Sequence, residues 1–177
     1  GCRKLIFGLE SYNQRVLDAM KKGVELSWVD ETSEACMRLG IAMHFYLICG
    51  FPTETEPEVM DSINFVLNNQ RLLDSPGFSA ILSQFDLERG APIEKNPAEW
   101  GITKLYTPPE HDLSLGYTYE TTIGMSSDEA NVLYQQLIEK LGREVMTFPH
   151  NYSLSDGLLY LSHHQKHSLP ERLGAPA

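Results

Sequence analysis

The sequence predicts an α/β fold built on a parallel sheet. Residues 4–10 and 41–49 are apolar at nearly every position, the pattern of strands covered on both faces, and 78–87 reads as a third strand with Ala80, Ile81 and Leu82 at its centre. The segments between them carry apolar residues at helical spacing, bounded by capping residues and glycines. The first two apolar runs end in Gly8-Leu9-Glu10-Ser11 and Gly50-Phe51-Pro52-Thr53, and each leads straight into a helix. Strand, helix, strand, helix, strand implies right-handed crossovers within one parallel sheet. Three strands are too few for a closed barrel and suit half of one. The expected architecture is a partial, half TIM-type barrel over 1–92, followed over 93–177 by an irregular segment and a mainly helical C-terminal extension.

Each element has its local reason. Ser11 reads as an N-cap with Gln14 as its capping-box partner, and Tyr12, Val16, Leu17 and Met20 follow at helical spacing until Gly23. Ser27 and Asp30 repeat the start signal. Val29, Thr32, Cys36 and Leu39 share a face, and Gly40 ends that helix. After the turn at 50–52, Thr55 and Glu58 form a second capping box, with Pro57 in the first turn where its missing N–H costs little. Val59, Ile63, Val66 and Leu67 mark the face this helix buries. Residues 88–122 are rich in proline, glycine, charge and aromatics, and read as an irregular excursion with one or two short strands around 113–121. Ser126 and Glu129 then cap a helix whose apolar stripe is Leu133, Leu137, Leu141 and Val145. A last short helix is expected over 155–163, with a polar tail beyond Lys166.

Lys and Arg number 14 against 24 Asp and Glu, a formal charge of -10. No basic stripe is present for a nucleic-acid groove, and the acidity disfavours an anionic membrane surface. No window approaches the roughly 18 apolar residues of a membrane span. The chain opens without a signal peptide, inside a structural element, and is expected to be a piece of something longer. Cys2, Cys36 and Cys49 are too few and too scattered for a disulfide framework or a metal cluster, and suit a reducing cytoplasm.

A wider pattern joins these segments. Gly8-Leu9-Glu10-Ser11 is followed by Gln14-Arg15-Val16-Leu17 and Met20-Lys21-Lys22-Gly23. Then come Leu39-Gly40-Ile41, Gly50-Phe51-Pro52-Thr53-Glu54-Thr55 and Phe65-Val66. In this order and spacing the chain resembles the C-terminal half of a radical S-adenosylmethionine (radical SAM) barrel, most closely the subgroup in which a cobalamin-binding domain often precedes the barrel. The resemblance covers 2–92, where Glu88-Arg89-Gly90-Ala91-Pro92 matches the stretch after the sixth strand, and weakens from Asn96 onward. It implies strands four to six of a (β/α)6 barrel. The family's C-x-x-x-C-x-x-C motif, which holds a [4Fe–4S] cluster, and the glycine-rich segment that contacts the amino group of SAM do not occur in this sequence. The resemblance therefore implies a missing N-terminal barrel half as partner, and a chain that by itself starts no radical chemistry.

The resemblance also assigns residues. Glu10 and Ser11 match the strand end that faces the ribose of SAM, although Ser11 also has the reading of a simple cap. Ile48, Gly50 and Phe51 match the segment that sandwiches adenine, where glycine permits a close backbone approach; Tyr46 stands where the family pattern has its first glycine. Gln84, with Phe85, ends the third strand and reads as lining the SAM or substrate side or as a satisfied sheet-end amide. No residue is assigned a catalytic role and none a metal. His163, His164 and His167 have no fourth ligand nearby in sequence. Cys49 reads as a small buried hydrophobe, Tyr106, Tyr117 and Tyr119 as aromatic core, and Glu54, Glu56 and Glu58 as charges favouring a helix N-terminus.

The resulting expectation is a fragment of a radical SAM Fe–S oxidoreductase or methyltransferase. With its missing half it would bind the cluster and cleave SAM to a 5′-deoxyadenosyl radical. With cobalamin bound, methyl transfer to an unactivated carbon follows by analogy with the subgroup. A small molecule or peptide is the expected substrate, and a homodimer would cover the edge that an incomplete sheet exposes. Two alternatives stand beside it: a non-catalytic peptide-binding domain, and another α/β enzyme that binds a nucleotide at the same strand ends.

Overall fold

The computed structural model describes residues 2–107 and 115–141. The expected helix over 155–163, its polar tail, the three histidines, Val145 and the side chain of Leu141 lie outside the described residues. The chain runs β1 (Lys4–Glu10), α1 (Gln14–Ala19), α2 (Leu26–Leu39), β2 (Ala42–Cys49), α3 (Glu56–Leu67), α4 (Gln70–Leu73) and β3 (Ser79–Gln84). These form an α/β unit whose three-stranded sheet is parallel throughout, in the order β1-β2-β3. Then follow β4 (Leu87–Glu88), α5 (Pro92–Lys95), a 3₁₀ turn (Pro97–Trp100), β5 (Ile102–Tyr106), β6 (Gly116–Thr121) and α6 (Ser127–Leu141).

The helices that flank the parallel sheet pack on one of its faces. That core takes Leu9 from β1, Met43, Phe45, Leu47 and Cys49 from β2, and Ala80 and Leu82 from β3. Against them lie Cys36 of α2, Val59, Ile63 and Val66 of α3, Leu72 of α4, and Ala130, Leu133 and Leu137 of α6. Strand side chains alternate between faces, so the opposite face carries Ile6, Gly8, His44, Tyr46, Ile48, Ile81 and Ser83. Ile6 is 60% exposed and Tyr46 43%.

Two sequence expectations about this sheet change. β1 is not covered on both faces. It is the sheet edge, with only Leu9 fully buried, because the described residues place no strand beside it. The third strand stops at Gln84 rather than 87: the Phe85 N–H to the Cys49 carbonyl (2.8 Å) is its last rung to β2, and Leu87 and Glu88 pair with β6 instead. No closed barrel is present among the described residues.

The stretch expected to be irregular is partly ordered as a second sheet. β4, β6 and β5 pair antiparallel in that spatial order. Of the one or two strands expected around 113–121, β6 lies there, whereas β5 lies earlier, at 102–106, since its Ile-Thr-Lys-Leu-Tyr run is too short to declare a period. Val16, Phe51, Leu87, Ile93, Ile102 and Tyr119 form a second core, joining α1 and the end of β2 to this sheet. α6, with its Ser126–Glu129 capping box and the expected Leu133–Leu137 stripe, returns to the parallel sheet.

The caps are legible to different degrees. Thr55 and Glu58 form the expected box, and Gly40 ends α2 at φ +64°. α1, however, is capped by Asn13, whose side chain accepts from the Val16 N–H, and it ends at Ala19, short of Gly23. Gln14 caps nothing in its own helix. Its side chain accepts from the Leu26 N–H (3.0 Å) and donates to the Val24 carbonyl (3.0 Å), which ties α1 to the start of α2. α2 starts at Leu26 behind Glu25, two residues earlier than Ser27 and Asp30 suggest. It buries Ser33 and Cys36, while Leu39, expected on the buried face, is 66% exposed.

Candidate functional site

The predicted site residues gather at the C-terminal ends of the three parallel strands, the edge at which parallel α/β sheets bind ligands. Glu10 and Ser11 close β1; Ile48, Gly50 and Phe51 close β2; Gln84 closes β3, paired in register with Cys49.

Glu10 faces the open side of the sheet. The β1–β2 register slips between Gly8 and Glu10, and Glu10 takes φ +68°, a left-handed conformation that costs a non-glycine residue free energy. Its carboxylate folds back over Gly8, where a Cβ would come within 2.6 Å of its Oε1, and it pairs with Lys22 Nζ at 2.8 Å. A carboxylate with spare acceptor capacity and an ammonium beside it are thus presented at the mouth of the open face. Ile48 shares that face and is half-buried.

The other four residues are placed differently. Ser11 is fully buried, its hydroxyl 3.3 Å from the Ser62 hydroxyl, which also accepts from the Tyr12 N–H at 2.7 Å. It joins the end of β1 to α3 and offers no surface to a ligand. Gly50 sits at φ +88°, as only glycine readily does. Its close approach, expected toward adenine, is toward the protein: a Cβ there would overlap the Cβ of Ala130 on α6. Its carbonyl accepts from the Tyr119 hydroxyl at 2.6 Å, and its N–H donates to Glu54. Both backbone groups are therefore occupied. Phe51 is buried in the second core, edge-on to Phe85 (5.3 Å) and Trp100 (5.5 Å). Gln84 has the strand parity of Leu82, the helix-covered side, so its neighbour Ser83 is the residue of β3 that faces the open side.

Two arrangements at this rim were missed. The first is an arginine clamp. Arg15 of α1 pairs through Nε with Glu58 Oε1 and at 2.6 Å through a terminal nitrogen with Glu58 Oε2, and donates to the Thr53 carbonyl at 2.8 Å. With Arg15 and the Thr55 cap as donors, the Glu58 carboxyl is lowered to about 2. The second is Glu54. Expected at a helix N-terminus in solvent, it is instead completely buried, with burial pushing its carboxyl up to about 7. Burial also pushes the neighbouring Cys49 thiol up to about 12, as suits an inert core cysteine. Neither arrangement has a sequence signal of its own, because the partners are brought together across separate elements.

Thr53 stands between them at φ +83°, an unusual conformation for a β-branched residue. Such strain costs on the order of 1–3 kcal/mol, more than the flexibility glycine adds to the unfolded chain. Thr53→Gly is therefore expected to raise stability by about 1 kcal/mol in urea melts, and a loss of stability would show that the hydrogen bond from Arg15 to the Thr53 hydroxyl (3.3 Å), which glycine removes, outweighs the strain.

Comparison with family models, with curated proteins and with solved structures finds no match for this chain. Nor do the residues present fit an iron–sulfur cluster. Among the described residues no group of three or more His, Cys, Asp or Glu could hold a metal; Cys36 and Cys49 are buried and Cys2 is exposed. For SAM the fit is partial. Glu10 and Ile48 are presented toward the open face, while Ser11, Gly50 and Phe51 support it from behind. Among the described residues no helix is long and apolar enough to cross a membrane.

Proposed function

We propose that residues 2–92 are the C-terminal half of a radical SAM barrel, whose cluster-binding and reactive half is supplied by residues outside this chain. The observation that carries the reading is the one-sided sheet. Three parallel strands stand in sequential order with their helices on one face, and apolar Ile6, Tyr46 and Ile81 line the other. A doubly wound sheet reverses strand order and is covered on both sides. A barrel keeps sequential order, puts its helices outside and fills its interior with side chains from the strands. On this reading the bare face is barrel interior, β1 is the strand that pairs with the absent half, and α6 is the outer helix after the last strand. Until that half is present, the same edge is open to a second copy of the chain.

Reductive cleavage of SAM is the chemistry such a cluster supplies when bound. The part of this chain is to position. Glu10 accepts hydrogen bonds from the ribose hydroxyls, Lys22 fixes the orientation of that carboxylate, and Ile48 gives an apolar surface to the adenine. Small-molecule or peptide substrates, cobalamin and methyl transfer remain attached to the reading through the subgroup resemblance.

Two measurements test it. The 177-residue chain titrated with SAM in a calorimeter is expected to show weak binding or none, and micromolar affinity would contradict the division of the site. The chain extended upstream is expected to contain a cysteine triad, to carry an oxygen-sensitive brown cluster and to release 5′-deoxyadenosine from SAM. An extended chain with no such triad ends the radical reading and leaves a peptide-binding or nucleotide-binding α/β domain.

A further inference from the structure

Glu54 is the one described residue whose buried side-chain oxygen lacks a partner. Oε2 accepts from the Gly50 N–H (2.8 Å) and the Phe51 N–H (3.3 Å), while Oε1 has no hydrogen-bond partner. Its backbone is equally committed. Its N–H donates to the Phe51 carbonyl (2.8 Å), and its carbonyl accepts from the Met125 N–H (2.9 Å) just before α6. One residue therefore ties the end of β2, the 50–53 turn and the lead-in to α6 together.

The groups around it do not neutralise a charge there. The Cys49 thiol on β2 and the Tyr119 hydroxyl on β6 face it, and both are shifted toward their neutral forms by burial first and by Glu54 second or third. Arg15 on α1 attracts a charged Glu54, but its guanidinium is already shared between Glu58 and Thr53. Glu58 on α3 repels it. From the α6 side the approach is backbone: Gly124 is pressed against Thr53 and Glu54, with no room for a Cβ. Asp128 and Glu129 on α6 are exposed, and Glu129 is turned to Ser126.

A neutral carboxyl leaves only a hydroxyl unpartnered in this site, whereas an ionised one leaves a buried anionic oxygen, which costs far more. We propose that Glu54 is a proton-operated latch: with its proton on, the carboxyl seals the 50–53 turn against β2 and α6, and with the proton off the turn opens. The inference rests on the chain's own residues and stands whether or not SAM is the ligand. It adds control to the rim, because the turn it holds carries Gly50 and Phe51.

The sign follows from linkage. The closed form holds its proton up to about pH 7, while an open, solvated glutamate loses it near about pH 4.3. The latch is thus fully stabilising below the open-state value and is lost as pH rises through the closed-state value. Amide exchange on the 177-residue chain reads this directly. Protection of the Gly50 and Phe51 amides, corrected for intrinsic exchange, is expected to fall about tenfold per pH unit between pH 5 and 7, and then to level off. In Glu54→Gln it is expected to be flat over the same range. Protection that is flat in the wild type, or a fall that persists in Glu54→Gln, overturns the latch. Should the variant not fold, the Glu54 side-chain carboxyl carbon followed by NMR in the wild type decides. A midpoint near 7 supports the latch and one near the ordinary glutamate value removes it.

Discussion

Gly50→Ala is expected to destabilise the chain by about 3 kcal/mol, or to prevent folding altogether. Two independent costs add. The residue sits at φ +88°, where an L side chain costs roughly 1–2 kcal/mol. A Cβ would also overlap the Ala130 Cβ, and overpacking of a tight contact costs roughly 1–3 kcal/mol. The two terms can be separated by a double-mutant cycle in urea melts. Ala130→Gly removes the overlap but not the backbone strain, so the double variant should recover only the second cost. A loss below about 1 kcal/mol for Gly50→Ala would mean that α6 does not approach β2 so closely in solution. The result also bears on function. If the glycine serves α6, its presence in the Gly-Phe-Pro turn is explained without a ligand.

Phe45→Ala and Tyr46→Ala should differ sharply although the residues are adjacent on β2. Phe45 is 2% exposed at the centre of the core, with Phe7 and Phe78 edge-on at 5.6 Å and Phe65 at 6.2 Å. Truncating it should cost roughly 3–5 kcal/mol. Tyr46 projects from the bare face, so its truncation should cost about 0.5 kcal/mol or less. Equal costs in the 177-residue chain would show that the open face is packed in solution, and would remove the observation on which the half-barrel proposal rests. In a chain extended by the missing half, the Tyr46 cost should rise toward that of a core residue, because the same side chain would then lie inside the completed partial barrel.

Much of the first sheet is legible in the sequence because its determinants are local. Apolar runs, the Thr55–Glu58 box and Gly40 each act within a few residues, and all three appear where the sequence places them, with strand ends shifted by at most three positions. The strand β5 and the true cap of α1 are less legible. β5 has only five residues and gains its pairing from β6, and Ser11 has capping chemistry but is drawn into the core by Ser62, leaving Asn13 to cap.

The candidate site divides in the same way. That Glu10, Ile48, Gly50 and Gln84 meet at one rim follows from sequence order alone, since consecutive parallel strands lay their C-terminal ends side by side. Which of them face outward does not. A register slip turns Glu10 back over Gly8, one step of strand parity gives the open side to Ser83 rather than Gln84, and α6 occupies the space beside Gly50. Glu54 is the clearest case. In sequence it is one of three acids at a helix start, each suited to solvent. Only packing of β2, β6 and α6 around it removes the water, and burial is what raises a carboxyl so far above its usual range. The sequence by itself determined the three parallel strands, their order and the rim; tertiary structure alone decided which side of the sheet is bare and which acid is buried, because both depend on contacts between elements far apart in the chain.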